Sequence, residues 1–154
     1  MKKIVFILAV AAALAMTSCH KTQTLADLPS HYITLDGGAR MHYKVCGKGN
    51  ITLMFVHGFG CDMNAWEQQY KGFRNDTIRM IFVDLPGYGK SDKPDTNYTL
   101  SYFADALHRV ADTLGATKLV LIGHSLGTPI CRQFVFDHPT HAAALCDIDG
   151  VYCF

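Results

Sequence analysis

One pentapeptide, Gly123-His124-Ser125-Leu126-Gly127, limits what this chain can become more than any other stretch of it. It joins an apolar run, Leu119 to Ile122, to a helical pattern that passes through Ile130, Phe134 and Val135 and stops before Pro139. A serine between two glycines at a strand-to-helix junction belongs on a sharp turn, where backbone lies so close to backbone that larger flanking side chains do not fit. Such a turn exposes the Ser125 hydroxyl at the positive end of the following helix, where the Leu126 N–H can face an oxyanion. With 13 glycines and 5 serines in 154 residues, the pattern G-x-S-x-G arises by chance only about 0.03 times per chain.

The rest of the chain supplies the frame such a turn needs. His31 to Leu35 and Met41 to Val45 flank an Asp36-Gly37-Gly38 turn, which predicts a hairpin. Ile51 to Val56 and Thr77 to Val83 are nearly continuous apolar runs, as central strands of a parallel sheet buried on both faces require. Between them, Thr99 to Leu114 carries apolar residues at 100, 103, 104, 107, 110, 111 and 114, one face of a 3.6-residue period. Thr99 or Ser101 can cap its start, and Gly115 stands where a left-handed terminal residue belongs. A weaker helix is expected from Asn64 to Gly72, and a last strand from Ala143 to Ile148. A hairpin followed by alternating strands and helices predicts an α/β fold: a mostly parallel sheet with an N-terminal antiparallel hairpin.

A second turn, His57-Gly58-Phe59-Gly60, ends the Ile51 to Val56 strand and can aim the Phe59 N–H at the same oxyanion from the other side. His57 itself reads as structural. Taken in order, this turn, then Asp84-Leu85-Pro86-Gly87-Tyr88-Gly89-Lys90-Ser91, then residues 123–127 resemble the α/β-hydrolase superfamily. The similarity is to the branch of esterases, C–C bond hydrolases, haloperoxidases and prolyl iminopeptidases. It implies Ser125 as nucleophile, the Phe59 and Leu126 amides as oxyanion hole, and a small ester, amide or ketone as substrate. A serine at 125 argues against the relatives that use an aspartate there, the epoxide hydrolases and haloalkane dehalogenases.

Two nucleotide readings fail. Gly89-Lys90-Ser91 ends like a phosphate-binding loop, but its first glycine would fall on Asp84. Gly58-x-Gly60 begins like a dinucleotide fingerprint, but its third glycine would fall on Met63. No cofactor is expected.

A serine nucleophile needs a base, and the base an orienting acid. In the family resembled, these follow the serine in the order acid, then histidine. The histidines after Ser125 are His138 and His141, about 20 Å away at the far end of a helix that starts at the serine. Neither reaches it. Asp149 is the candidate acid, with a turn-forming aspartate before Gly150 as its other reading. The family pattern would continue with a cap, further strand–helix units and a histidine loop. The expectation is therefore an incomplete hydrolase, nearly inactive alone because loss of the base costs about a millionfold in turnover. The alternative is a non-catalytic piece that binds a partner, or half of a split hydrolase completed by a C-terminal polypeptide.

The N-terminus is set apart. Lys2 and Lys3 precede an uncharged run from Ile4 to Met16, and Thr17 and Ser18 lead into Cys19. That predicts a signal peptide over residues 1–18, too short to span a membrane at the ~20 residues a spanning helix needs. Met16-Thr17-Ser18-Cys19 resembles a bacterial lipobox, which implies lipidation at Cys19 and a membrane-anchored protein of the cell envelope; plain secretion is the alternative. Residues 19–29 then read as a tether, and 30–154 as the hydrolase core. Loss of Lys2 and Lys3 turns a net charge of +1 into −1, which leaves no electrostatic footprint for nucleic acid. The six cysteines form no C-x-x-C pair and no Cys/His ligand spacing, so no metal is expected. Export permits one or two disulfides, but buried free thiols are the simpler reading.

Overall fold

The computed structural model describes residues 23–75 and 77–150. Six strands form one sheet in the order β1-β2-β4-β3-β5-β6: His31–Thr34, Arg40–Cys46, Ile78–Val83, Ile51–Val56, Leu119–His124 and Ala142–Ile148. The first two pairings, β1 with β2 and β2 with β4, are antiparallel; the others are parallel. The expected mostly parallel sheet with an antiparallel hairpin at its start is the one observed. The signal segment, Cys19 and Cys153 lie outside the described residues. No helix among the described residues is long and apolar enough to cross a membrane.

Strand alternation divides the interior into two cores. Met54 and Val56 of β3, with Ile81 and Val83 of β4, face the helices α2 (Leu100–Thr113) and α3 (Gly127–Asp137), where Leu107, Val110, Ile130 and Phe134 are buried. Leu53 and Phe55, with Met80 and Phe82, face the other way onto Met63, Trp66 and Tyr70. A sheet buried on both sides removes its apolar strands from water wholly, which is why β3 and β4 read as unbroken apolar runs.

The helix ends follow local chemistry. Thr99 caps α2 by accepting a bond from the Tyr102 N–H at 3.1 Å. Its other end closes with Gly115 N–H to Asp112 O and Ala116 N–H to Ala111 O, a Schellman motif. The helix expected over 64–72 is instead a 3₁₀ turn, Met63–Trp66, running into α1, Glu67–Phe73. Asp62 caps that turn through the Asn64 N–H.

Part of the tether expected over 19–29 is packed into the fold. Leu25 is fully buried, Leu28 nearly so, and both join the second core. The segment is held by Glu67 Oε2, which accepts from the Leu25 N–H, and by the buried Lys44 ammonium, which donates to the carbonyls of Leu25 and Ala26. Two leucines in a mostly polar segment carry no periodic signal, so the folded body begins before the first strand unannounced.

At the opposite edge, β6 pairs only with β5 among the described residues, and Ala143, Ala144, Leu145 and Cys146 are exposed along it. Four cysteines are free in the described part: Cys131 is buried, Cys46 and Cys61 are half-buried, and Cys146 is exposed.

Candidate active site

The turn at Ser125 has the geometry its glycines predict. Ser125 takes φ +50°, a left-handed conformation that side-chain-bearing residues rarely adopt. A methyl group on Gly123 would lie 2.6 Å from the Gly127 carbonyl oxygen, and one on Gly127 would lie 2.3 Å from that of Val56. Both obstacles are backbone, so neither can step aside. The Thr128 hydroxyl donates to the Gly123 carbonyl at 3.1 Å and ties the first turn of α3 back to the end of β5. Ser125 is half-exposed, beyond the end of a central strand and just before the helix. Leu126 precedes the helix, among the first-turn N–H groups that have no intrahelical acceptor.

The second turn lies beside it. A methyl on Gly58 would meet the Ser125 Cβ at 3.1 Å, so the two turns touch. Cys61 N–H closes the second turn on the Gly58 carbonyl, with Phe59 inside it. The Phe59 ring is 78% exposed and meets Tyr88 edge-on.

His57 is structural in the strict sense that both ring nitrogens are occupied. Nδ1 lies 2.8 Å from the Gly58 carbonyl and Nε2 accepts from the Leu85 N–H at 3.1 Å. That pair requires the tautomer protonated at Nδ1. Burial holds its pKa below the ordinary histidine value, so the ring is neutral at pH 7.

Asp149 enters through the backbone. Ser125 N–H donates to the Ile148 carbonyl at 3.0 Å, which brings the end of β6 against the turn. Asp149 follows with φ +48° and an exposed side chain. Its neighbour Asp147 is engaged elsewhere, accepting from Arg132 Nε at 3.0 Å. His138 and His141 sit past the end of α3 with Asp105 and Asp112, as their distance along the helix required.

Sequence reasoning missed a polar hub under the site. Asp84, at the end of β4, is 2% exposed. Its carboxylate accepts from Met63 N–H at 2.8 Å and Lys90 N–H at 2.9 Å, and lies 2.7 Å from His42 Nδ1. Burial alone would raise its pKa; the bonds from His42, Lys90 and Met63 outweigh that and hold it below the usual carboxylate value. Ser91 completes the knot, donating to the Asp84 carbonyl and accepting from the His42 N–H. A methyl on Gly89 would strike the carboxylate at 2.3 Å. The residues that mimicked a phosphate loop therefore fold around an internal anion. This hub fixes the 84–91 loop, which carries Tyr88 against His57 and Phe59. An open groove of about 510 Å³ runs between Gly60–Asp62 and Gly87–Gly89, with Ser125 outside its lining.

Comparison with known proteins bears on the fold and the family. The chain is 34% identical over 135 residues to a 2-hydroxy-6-oxononadienedioate/2-hydroxy-6-oxononatrienedioate hydrolase of Paraburkholderia phymatum, covering 84% of this chain and 47% of that protein. It is 34% identical over 127 residues to human epoxide hydrolase 4, covering 78% and 35% respectively. Among solved structures, an esterase from Exiguobacterium antarcticum superposes with a TM-score of 0.75 at 27% identity, covering 79% of this chain and 46% of that one. The chain thus spans less than half the length of these relatives. Similarity reaches proteins named for different hydrolytic reactions, so it carries the fold and hydrolase kinship rather than a substrate. The family model described as alpha/beta hydrolase fold matches residues 51–149, from the first central strand through the turn at Ser125 to Asp149, and the chain belongs to that family.

Proposed function

We propose that this chain carries the nucleophile and oxyanion hole of a serine hydrolase acting on a small ester, amide or ketone. The observation that carries the proposal is Ser125 itself: a serine at φ +50° beyond a central strand, with glycines packed on backbone at both sides. Strain of that kind costs of order 1–3 kcal/mol and persists where the surroundings enforce it, often for function. In the proposed reaction, Ser125 Oγ bonds to the substrate carbonyl carbon as its proton passes to a base. The carbonyl oxygen becomes an oxyanion between the Phe59 and Leu126 N–H groups. Collapse of that intermediate breaks the bond to the alcohol, amine or carbon leaving group, which takes up the proton, and water then releases the acyl group from the serine.

Asp149 is the acid of this proposal, since the residue before it, Ile148, is hydrogen-bonded to the turn. Among the described residues no histidine is paired with Ser125, and His57 is already engaged at both nitrogens. The base of this proposal lies outside residues 23–150, in a further C-terminal segment of the hydrolase. Export with lipid attachment at Cys19 belongs to the same proposal and rests on the sequence of residues 1–19.

A fluorophosphonate probe tests the reading, because it reports a serine activated enough to attack phosphorus. Labelling is expected to be slow for the chain alone, to be lost in Ser125→Ala, and to accelerate when a C-terminal hydrolase segment is co-expressed. Labelling that survives Ser125→Ala would remove Ser125 as nucleophile. No labelling with or without the added segment would favour the reading as a non-catalytic binding piece.

A further inference from the structure

Away from the turn at Ser125, two imidazoles and a carboxylate converge where α2 passes the short 3₁₀ turn Pro139–His141. His108 and Asp112 stand one helical turn apart on α2, with His108 Nε2 3.8 Å from Asp112 Oδ1. His141 reaches the same oxygen at 3.6 Å from the other element. One ligand atom from each of the three lies within 4.8 Å of the other two. A tetrahedral zinc with bonds of about 2.1 Å holds its ligands roughly 3.4 Å apart, so small side-chain rotations close this triangle around an ion.

Both histidines are already partly oriented. His138 stacks on His108 at 3.8 Å between ring centres and 6° between planes, and its own Nε2 is 3.2 Å from Asp105. Thr140 Oγ1 lies 3.4 Å from His141 Nδ1, which leaves Nε2 turned toward Asp112. Partners on the far side of a ligand ring are what fix its tautomer and aim in metal sites. His108 and Asp112 also line an open cleft of about 420 Å³, so water has access to the remaining coordination positions.

We propose that His108, Asp112 and His141 form a binding site for a divalent transition metal of the zinc class, clamping α2 to the turn that precedes β6. Two nitrogens and one carboxylate oxygen with open positions suit zinc, and cobalt as its probe. The sequence expectation of no metal rested on local spacing. Here the third ligand comes 29 residues after the second, so no spacing rule could register it.

The test uses the full chain without a histidine tag, stripped with a chelator and titrated with Co²⁺ followed by visible absorption, then with Zn²⁺ by calorimetry. The expected result is one saturable zinc site with a Kd below about 100 μM, weakened at least tenfold by His141→Gln and by Asp112→Asn. His31→Gln, which removes an exposed imidazole outside the three ligands, should leave it unchanged. Circular dichroism of the metal-free variants checks that each is folded; Asp112 is exposed enough that its amide should be tolerated. Weaker binding, or a loss smaller than tenfold in either folded variant, overturns the proposal.

Discussion

Two parallel strands, with β3 between them, end on the same side of the sheet, and their loops are held by opposite means. At the end of β4, the loop from Asp84 to Ser91 is built on attraction: one buried carboxylate gathers two backbone N–H groups and an imidazole. At the end of β5, the turn at Ser125 is built on exclusion: Gly123 and Gly127 leave out the side chains that would keep three backbones apart. The first loop is satisfied and places an aromatic wall; the second is strained and presents a hydroxyl. Hydrogen bonding fixes what must stay still, while absent atoms permit the conformation that exposes the reactive group.

The largest expected effect comes from breaking the attraction. Asp84→Ala should destabilise the fold by about 3–5 kcal/mol, because His42 and two buried N–H groups lose their acceptor together. Urea unfolding of the variant measures this, and a loss under about 1 kcal/mol would show that the hub is not what holds the loop. The same carboxylate gives the comparison a pH signature. Its folded-state pKa lies below the unfolded value, so its stabilisation is fully present above about pH 4 and is lost as pH falls through the lowered folded value. Acid unfolding curves of the native chain and Asp84→Asn should therefore converge at low pH.

Breaking the exclusion costs somewhat less. Gly127→Ala should destabilise by about 3 kcal/mol, since its methyl meets the Val56 carbonyl and the helix must shift to admit it. Fluorophosphonate labelling of whatever remains folded should fall with it. The smallest effect has the opposite sign. Ser125→Gly should raise stability by about 1 kcal/mol by relieving the positive φ, while removing the hydroxyl. A thermal midpoint that does not rise would mean the turn carries no strain.

What the sequence made legible was local. The hairpin, the cap at Thr99, the closing Gly115 and the turn at Ser125 each depend on residues within about five positions, and each is where the pattern predicts it. The hub was not legible, because Asp84 and His42 are 42 residues apart and an aspartate ending an apolar strand has many fates. The only hint lay in the sequence Asp84 to Ser91, whose resemblance to a phosphate loop reflected a shared need for N–H groups around an anion. Leu25 and Leu28 were read as part of a tether for a related reason. Docking of a short segment depends on the hole it fills, here beside Trp66 and Tyr70, rather than on its own periodicity.

The cysteines described with the fold amount to a chemical clock. Cys131 sits in the first core with no exposed surface, and burial raises its thiol pKa, so it offers almost no thiolate to an alkylating reagent while the core is closed. Cys146, out on β6, is open from the first second. In one reaction vessel the fast sulfur counts molecules and the slow one counts openings of the α3 core. The ratio of their rates would measure how often the core around Cys131 opens, without a dye or a denaturant.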